Sequence, residues 1–146
     1  MGMIVNTEIN FQILLAVHSI GKIFSVKRIS EKGMAKKKIL IIDDEADFCL
    51  LLKSYFSSKQ YEVYYSYSLN TGLKLLEEIR PDILFLDNNL PDGSGWNKAD
   101  QISRSHPEVQ VNLISTHLNE YPKSSSSSAF RVWEKPLKLN ELSKMF

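Results

Sequence analysis

The chain has 146 residues, of which 43% are hydrophobic and 24% are charged, a balance typical of one globular domain with a substantial core. Its formal net charge is +1, so bulk electrostatics predicts no nucleic-acid or membrane partner. The one cysteine, Cys49, excludes an intrachain disulfide and a cysteine-based zinc cluster. Its apolar neighbours favour a buried thiol over a reactive one.

The first 33 residues differ in character from the rest. Their apolar stretch, residues 11–17, is shorter than the roughly 20 residues that a membrane span needs. The segment before it contains no lysine or arginine, which makes it a poor secretory signal. We therefore predict a cytoplasmic protein whose domain covers residues 35–146. Residues 1–34 are then an extension that is disordered or follows a misassigned start, and the alternative is a short docking or membrane-surface helix.

Strand and helix patterns alternate after Met34. Apolar runs and segments rich in valine and tyrosine predict strands, and 3.6-residue periodicity predicts amphipathic helices between them. The predicted strands are 39–42, 62–66, 83–86, 109–114 and 130–133, and the predicted helices are 46–56, 70–79, 96–103 and 137–146. The side chains expected to face the core from the first, third and last helices are Phe48, Leu51, Leu52, Tyr55, Phe56, Trp96, Ala99, Ile102, Leu139, Leu142 and Met145.

The fourth helix is the weak point of this pattern. Five consecutive serines, residues 124–128, stand where it belongs, and serine competes for the backbone and disfavours helix. We therefore expect this helix to be short or irregular. Five strands, each followed by a helix, predict an α/β fold with a doubly wound parallel sheet and right-handed crossovers.

Three apolar strands end in charged residues. The first ends at Asp43-Asp44-Glu45, the third at Asp87 and the fifth at Lys135. In an open α/β sheet such ends meet at one edge, where the strand order reverses. Three carboxylates there can hold a hard divalent cation, and their mutual repulsion calls for a metal ion and a lysine. The interpretation requires these groups to converge at an exposed edge, with Asp87 open to solvent.

Each of these residues also has a structural explanation. Asp43 and Asp44 could cap the first helix, and Asp87 could form the turn that follows it. Lys135 could be a surface lysine before a strand-ending proline. Their occurrence together, in this order, favours the metal interpretation.

From Ala35 to Phe146 the chain resembles the receiver domain of bacterial two-component response regulators. The resemblance rests on four motifs, each weak alone but specific in this order. They are Asp43-Asp44-Glu45, Asp87 followed by Leu90-Pro91-Asp92-Gly93-Ser94-Gly95, Ser115 at the end of the fourth strand, and Lys135-Pro136. The resemblance implies a flavodoxin-like sheet of order 2-1-3-4-5.

It also implies a phosphoryl switch. Asp87 would accept a phosphoryl group from a histidine kinase or a phosphotransfer protein, in a reaction that depends on Mg²⁺. The metal ligands would be Asp43, Asp44, Asp87 and the backbone carbonyl of Asn89. Such a protein is not an enzyme, because it catalyses only its own phosphorylation and dephosphorylation.

Two further residues would contact the phosphoryl group. Lys135 would pair with Asp87 before transfer and with a phosphoryl oxygen afterwards. Ser115, which spacing favours over Thr116, would donate its hydroxyl to the phosphate and so repack the last two strands. The family usually carries an aromatic residue where this chain has Val132 and a small one where it has Thr116, departures that concern signal output more than chemistry.

The expected output is a partner interaction. We expect a stand-alone receiver that acts on an unidentified downstream protein, as a monomer or a phosphorylation-dependent dimer. Lys135→Ala is expected to impair signalling and to leave the fold intact, because it removes one cation from an exposed acidic edge. The alternatives are a degenerate receiver that acts as a phosphorylation-independent interaction module and, less favoured, a Mg²⁺-dependent phosphohydrolase, whose Asp-x-Asp motif the chain lacks.

Overall fold

The structure is a computed structural model and describes residues 35–117 and 130–146. Residues Lys36–Phe146 form one compact unit. In the described part of the chain, no helix has the length and apolar character needed to cross a membrane. In chain order the elements are β1 (Lys38–Ile42), α1 (Ala46–Ser58), β2 (Glu62–Ser66), α2 (Leu69–Ile79), β3 (Ile83–Asp87), β4 (Asn89–Leu90), β5 (Gly93–Ser94), α3 (Trp96–Ser105), β6 (Gln110–Ser115), β7 (Phe130–Glu134) and α4 (Leu139–Leu142).

The main sheet has five parallel strands in the order β2-β1-β3-β6-β7. Strands β4 and β5 form a separate antiparallel hairpin, so this order is the predicted 2-1-3-4-5 and the predicted fold class is confirmed. The connections run outward in opposite directions from β1 and β3, which places the reversal of strand order between these two central strands.

Two hydrophobic layers cover the sheet, because successive side chains of a strand point to opposite faces. On one face Leu40 and Leu84 pack with residues of α2 and α3. On the other, Ile41 and Phe85 pack with residues of α1 and α4. Strand β3 is buried along its whole length, which explains its uninterrupted apolar run.

The inward faces of the first and third helices were largely predictable. Trp96, Ala99 and Ile102 are buried on α3, and Cys49 is a buried free thiol on α1, as expected. The prediction for Leu51 was wrong, since it is 48% exposed. The buried stripe of α1 consists of Cys49, Leu52 and Phe56, and Leu51 lies about 100° around the helix from Leu52.

The last helix is shorter than predicted. It covers Leu139–Leu142 rather than residues 137–146, and Leu142 is its buried residue. The prediction that Leu139 and Met145 face the core was wrong, because both are exposed. The chain turns after Leu142 and brings the ring of Phe146 within 5.5 Å of the Phe56 ring, so a terminal aromatic fills that part of the core.

Two predictions lie outside the described residues. The irregular fourth helix falls on residues 118–129, and the N-terminal extension falls on residues 1–34.

Candidate functional site

The carboxyl ends of β1, β3 and β7 meet at one edge of the sheet, and backbone hydrogen bonds fix the residues that follow them. The N–H of Asp43 donates to the carbonyl of Ser66 (3.0 Å), which extends the pairing of β1 with β2. The N–H of Lys135 donates to the carbonyl of Ser115 (2.9 Å), which extends the pairing of β6 with β7. Asp87 is itself the last residue of β3.

Lys135 joins the acidic residues of this edge. Its Nζ lies 2.7 Å from Oδ2 of Asp43, 2.6 Å from Oε1 of Glu45 and 3.1 Å from Oδ1 of Asp87. The structure therefore brings together three of the residues singled out in the sequence, from strands that are distant along the chain. Asp44 is exposed and close enough that its charge contributes to raising the pKa of Asp87.

The edge is only partly exposed, which corrects the expectation of an open acidic rim. Asp44 and Glu45 are exposed, whereas Asp43 and Asp87 are buried. The Asp87 side chain retains 6% of its surface. Lys135 covers its Oδ1, and the N–H of Asn89 donates to its Oδ2 at 2.7 Å. Asp87 is buried because Lys135, which follows β7, and Asn89, which begins the hairpin, lie over the end of β3.

Burial dominates the electrostatics of the two covered carboxylates. It raises the pKa of Asp43 to about 6, although Lys135 and the N–H of Glu45 oppose this effect. Burial also raises the pKa of Asp87, against the attraction of Lys135. For Lys135 burial lowers the pKa, but the contacts with Asp43 and Glu45 outweigh it and the pKa is raised. The ammonium therefore stays charged and compensates the buried carboxylates.

Ser115 is buried at the end of β6. Its hydroxyl donates to the carbonyl of His117 (3.2 Å) and accepts from the N–H of His117 (3.0 Å). The hydroxyl of Thr116 lies 2.9 Å from Nδ1 of His117, and Thr116 is exposed. In this structure the Ser115 hydroxyl is thus hydrogen-bonded to the backbone of the loop that follows β6.

Val132 and Trp133 occupy opposite sides of β7, as strand alternation predicts. Val132 is exposed, so it does not supply the packing of a buried aromatic residue. Trp133 packs in the layer that contains Phe85 and Leu142, and its indole N–H donates to Oδ1 of the buried Asn112 at 3.0 Å. The tryptophan, rather than the valine, therefore faces the helices.

Gly95 matters to the site in a way that the sequence analysis missed. A Cβ at this position would overlap the backbone carbonyl oxygen of Asp87 and lie 2.8 Å from Cγ of Leu86. The N–H of Gly95 also donates to the carbonyl of Asn88 at 3.1 Å. The glycine lets the start of α3 pass directly against the end of β3. The only signal in the sequence was a second glycine in a turn.

Asp92 and Phe48 were also missed as supporting residues. Asp92 accepts hydrogen bonds from the N–H groups of Leu69 (2.7 Å) and Asn70 (2.8 Å), and thereby ties the hairpin to the start of α2. Phe48 places its ring 4.7 Å from Nζ of Lys135, within cation–π distance. The sequence marked Asp92 only as a turn residue and Phe48 only as a core residue.

The residues fit a hard cation in their chemistry. Oδ2 of Asp43 is a buried oxygen that lies beside a cation, the Lys135 ammonium, at 2.7 Å, and carboxylate and carbonyl oxygens are the ligands that Mg²⁺ prefers. In residues 35–117 and 130–146, however, no group of three or more Asp, Glu, His or Cys side chains is arranged so that it could hold a metal ion. Lys135 is the cation that joins Asp43 and Asp87 here.

Residues 39–146 match the model of a protein family, the response regulator receiver domain. The chain is similar to the response regulator protein PilR of Pseudomonas aeruginosa, with 29% identity over 111 residues, which are 75% of this chain and 25% of PilR. It is also similar to protein-glutamate methylesterase/protein-glutamine glutaminase 3 of Burkholderia thailandensis, with 33% identity over 99 residues, 66% of this chain and 26% of the relative. The chain thus spans about a quarter of the length of these relatives.

Solved structures agree with this match. The response regulator protein TrrA from Thermotoga maritima, in complex with Mg²⁺-BeF, is 26% identical with a TM-score of 0.67, over 75% of this chain and 95% of TrrA. A receiver domain from Methylobacillus flagellatus is 23% identical with a TM-score of 0.67, over 76% of this chain and 96% of that domain, a likeness that shows the fold.

Fold and site together define a flavodoxin-like α/β protein with an acidic, lysine-bridged site at the carboxyl edge of its sheet. Since the family model matches well over half of its residues, the chain belongs to the response regulator receiver domains of two-component systems.

Proposed function

We propose that the chain is a phosphoryl switch in which Asp87 accepts a phosphoryl group from a histidine kinase or a phosphotransfer protein. One observation supports this assignment above the others. Asp87 ends a central strand with its Oδ1 only 3.1 Å from the Lys135 ammonium, beside the buried carboxylate of Asp43. Receiver domains accept phosphoryl groups as a family, and Asp87 shares the Lys135 ammonium with Asp43 and Glu45.

In the proposed reaction an Asp87 carboxylate oxygen attacks the donor phosphorus. The phosphorus–nitrogen bond of a phosphohistidine breaks as the acyl phosphate forms, and the histidine leaves with its electron pair and is protonated. Charge spreads over the phosphoryl oxygens in the transition state, so positioning and electrostatic stabilisation supply most of the catalysis. Lys135 donates a hydrogen bond to one of those oxygens.

In this proposal the chain catalyses only its own phosphorylation and dephosphorylation.

The proposed Mg²⁺ ligands are Asp43, Asp44, Asp87 and the backbone carbonyl of Asn89. When bound, the ion would neutralise charge on the transferring phosphoryl group. Asp43 would contribute a fully buried carboxylate, and a compensating cation offsets the cost of that burial.

Ser115 would couple the phosphoryl group to the rest of the molecule. Its hydroxyl donates a hydrogen bond to the carbonyl of His117 here. That hydrogen bond must break before the hydroxyl can donate to a phosphoryl oxygen. That exchange rearranges the loop after β6, and we propose that the change is read by a downstream protein. The proposal also includes a cytoplasmic location and an oligomeric state that is either a monomer or a phosphorylation-dependent dimer.

The test is incubation of the purified chain with phosphoramidate or acetyl phosphate and Mg²⁺, followed by intact mass measurement. We expect a gain of one phosphoryl group, loss of that gain in Asp87→Asn, and loss of it when the metal is removed with a chelator.

The alternative is a degenerate receiver that binds partners without phosphoryl transfer. The near-complete burial of Asp87 is the observation that favours it. An unmodified mass after prolonged incubation, together with no binding of Mg²⁺ by titration calorimetry, would support this alternative and contradict the phosphoryl switch.

A further inference from the structure

We infer that Glu45 is a positioning residue for Lys135: it holds the ammonium in the unphosphorylated chain and releases it to a phosphoryl group on Asp87. The inference rests on the proposed function. It gives a role to the third acidic residue after β1, which the proposed metal site leaves unassigned.

The first argument is the geometry of the contact. Glu45 directly precedes α1 and makes no side-chain capping hydrogen bond, so its carboxylate is available to another partner. Its Oε1 accepts a hydrogen bond of 2.6 Å from Nζ of Lys135, a residue 90 positions away. Oδ2 of Asp43 lies at nearly the same distance, 2.7 Å, and Oδ1 of Asp87 lies farther away, at 3.1 Å. Glu45 and Asp43 therefore hold the ammonium together, from a loop residue and from the end of β1.

A second residue at the start of α1 holds the ammonium from the same side. The ring of Phe48 lies 4.7 Å from Nζ of Lys135, and Phe48 is three residues after Glu45, on the same side of the helix. A carboxylate and an aromatic face thus fix the position of a cation that covers Oδ1 of Asp87.

Differences in exposure decide which contact of Lys135 can break. The Glu45 side chain is 59% exposed, so water replaces the ammonium there at little cost. Asp43 is fully buried, so water cannot replace its cation in the same way, and only another cation could compensate the carboxylate. When a phosphoryl group on Asp87 offers new oxygens to the ammonium, Glu45 is the partner that gives way.

This arrangement makes Glu45 a brake on phosphorylation. The covering ammonium leaves 6% of the Asp87 side chain exposed, and its contact with Glu45 must break before Lys135 can bind the phosphoryl group. Removal of the Glu45 charge should therefore speed phosphorylation. Exposed ion pairs are typically weak, so we expect a rate increase of about two- to fivefold.

The experiment compares three variants of the full chain. Glu45→Gln keeps the length of the side chain and removes its charge. Glu45→Asp keeps the charge and shortens the reach by one methylene. Asp47→Asn removes an exposed charge in the first turn of α1 that does not touch Lys135, and serves as the matched control. Phosphoramidate phosphorylation is followed by intact mass at saturating Mg²⁺, with the Mg²⁺ dependence measured separately.

A metal-free readout tests the ion pair itself. In chelator, the ¹⁵N signal of the Lys135 ammonium, assigned by its loss in Lys135→Arg, should be protected from exchange in the wild-type chain. That protection should fall in Glu45→Gln and Glu45→Asp and persist in Asp47→Asn.

The inference is supported if both Glu45 variants phosphorylate faster than the wild-type chain and the Asp47 variant does not. Equal or slower rates in Glu45→Gln, the same increase in Asp47→Asn, or wild-type behaviour of Glu45→Asp would overturn it. A wild-type chain that gains no phosphoryl group would overturn the proposed function and with it the release step. The metal-free spectrum would still decide whether Glu45 holds Lys135.

Discussion

Lys135 is the side chain on which the arrangement of the site most depends. Its own side chain is 9% exposed, and it compensates two buried carboxylates from different strands, Asp43 and Asp87. The expectation that its removal leaves the fold undisturbed assumed an exposed edge, where an ion pair contributes little. Burial changes that balance, because an unpaired buried carboxylate is costly.

We predict that Lys135→Ala lowers the free energy of unfolding by about 3 kcal/mol at pH 7. The loss should be smaller at low pH, because protonation of Asp43, whose pKa of about 6 would rise further without Lys135, removes the unpaired buried charge. Because the pKa of Asp43 is higher in the folded chain than in the unfolded chain, the folded state binds more protons. The stabilisation that comes from protonated Asp43 is therefore present at low pH and is lost as the pH rises through about 6. Urea unfolding in chelator at about pH 4.5 and about pH 7, on either side of that pKa, measures both effects.

Lys138→Ala is the matched control. Lys138 forms an ion pair with Glu141 in which both side chains are well exposed, so its loss should hardly change stability. If Lys135→Ala were no more destabilising than Lys138→Ala at neutral pH, the burial of the cluster would be contradicted.

Among the residues of the site, those that follow strands were the predictable ones. Asp43, Asp87 and Lys135 were identified because apolar runs end at them and parallel strands share their carboxyl edge. The contact of Glu45 with Lys135 was not predictable, because it joins a loop residue to one 90 positions away through side-chain conformations that local sequence does not specify.

At the scale of elements, the segment from β3 to α3 is held by three separate contacts. The N–H of Asn89 donates to Asp87, Asp92 ties the hairpin to the start of α2, and Gly95 permits the close approach of α3. The segment that carries the proposed metal-binding carbonyl is thus fixed at both ends.

We predict that Gly95→Ala lowers the free energy of unfolding by about 1–3 kcal/mol, the typical cost of overpacking. The new methyl group meets backbone of Asp87, which cannot move aside as a flexible side chain would. Phosphoryl uptake should fall as well, since the displaced residue is the proposed acceptor. Urea unfolding and intact mass after phosphoramidate treatment check the two effects.

Asn97→Ala provides the comparison, because Asn97 is an exposed residue in the first turn of α3. It should change neither stability nor phosphoryl uptake. Equal behaviour of the two variants would show that the contact at Gly95 is not the cause.

Helix faces were predictable to the extent that their spacing was unambiguous. Trp96, Ala99 and Ile102 repeat at intervals of three on an otherwise polar helix and are buried. On α1, three consecutive leucines, 50–52, left the face open, and packing against the sheet selected Leu52. After α4 ends, Phe146 rather than Met145 packs into the core, because it meets the Phe56 ring there.

At the scale of the whole molecule, the compact unit Lys36–Phe146 contains the complete sheet and every proposed site residue. We predict that a chain of residues 35–146 folds by itself and gains one phosphoryl group from phosphoramidate at a rate within about twofold of the full chain. All five strands and the covering helices are retained, so the core that supports the site is unchanged. Thermal unfolding by circular dichroism and intact mass measure the two properties.

An insoluble or unfolded fragment, or one that loses phosphoryl uptake that the full chain retains, would contradict this division of the chain. It would indicate that residues 1–34 contribute to the site or to its support.

Local sequence patterns were sufficient to predict the strand order of the sheet and the edge at which the proposed site lies. Apolar runs, helical periodicity and strand-ending charged residues are local patterns, and a doubly wound sheet turns such patterns into one architecture. The burial of Asp43 and Asp87 became apparent from the tertiary structure. So did the position of Lys135 over Asp87 and its contact with Glu45. The physical reason is that burial and charge pairing depend on the elements packed above a residue, and those elements come from distant parts of the chain.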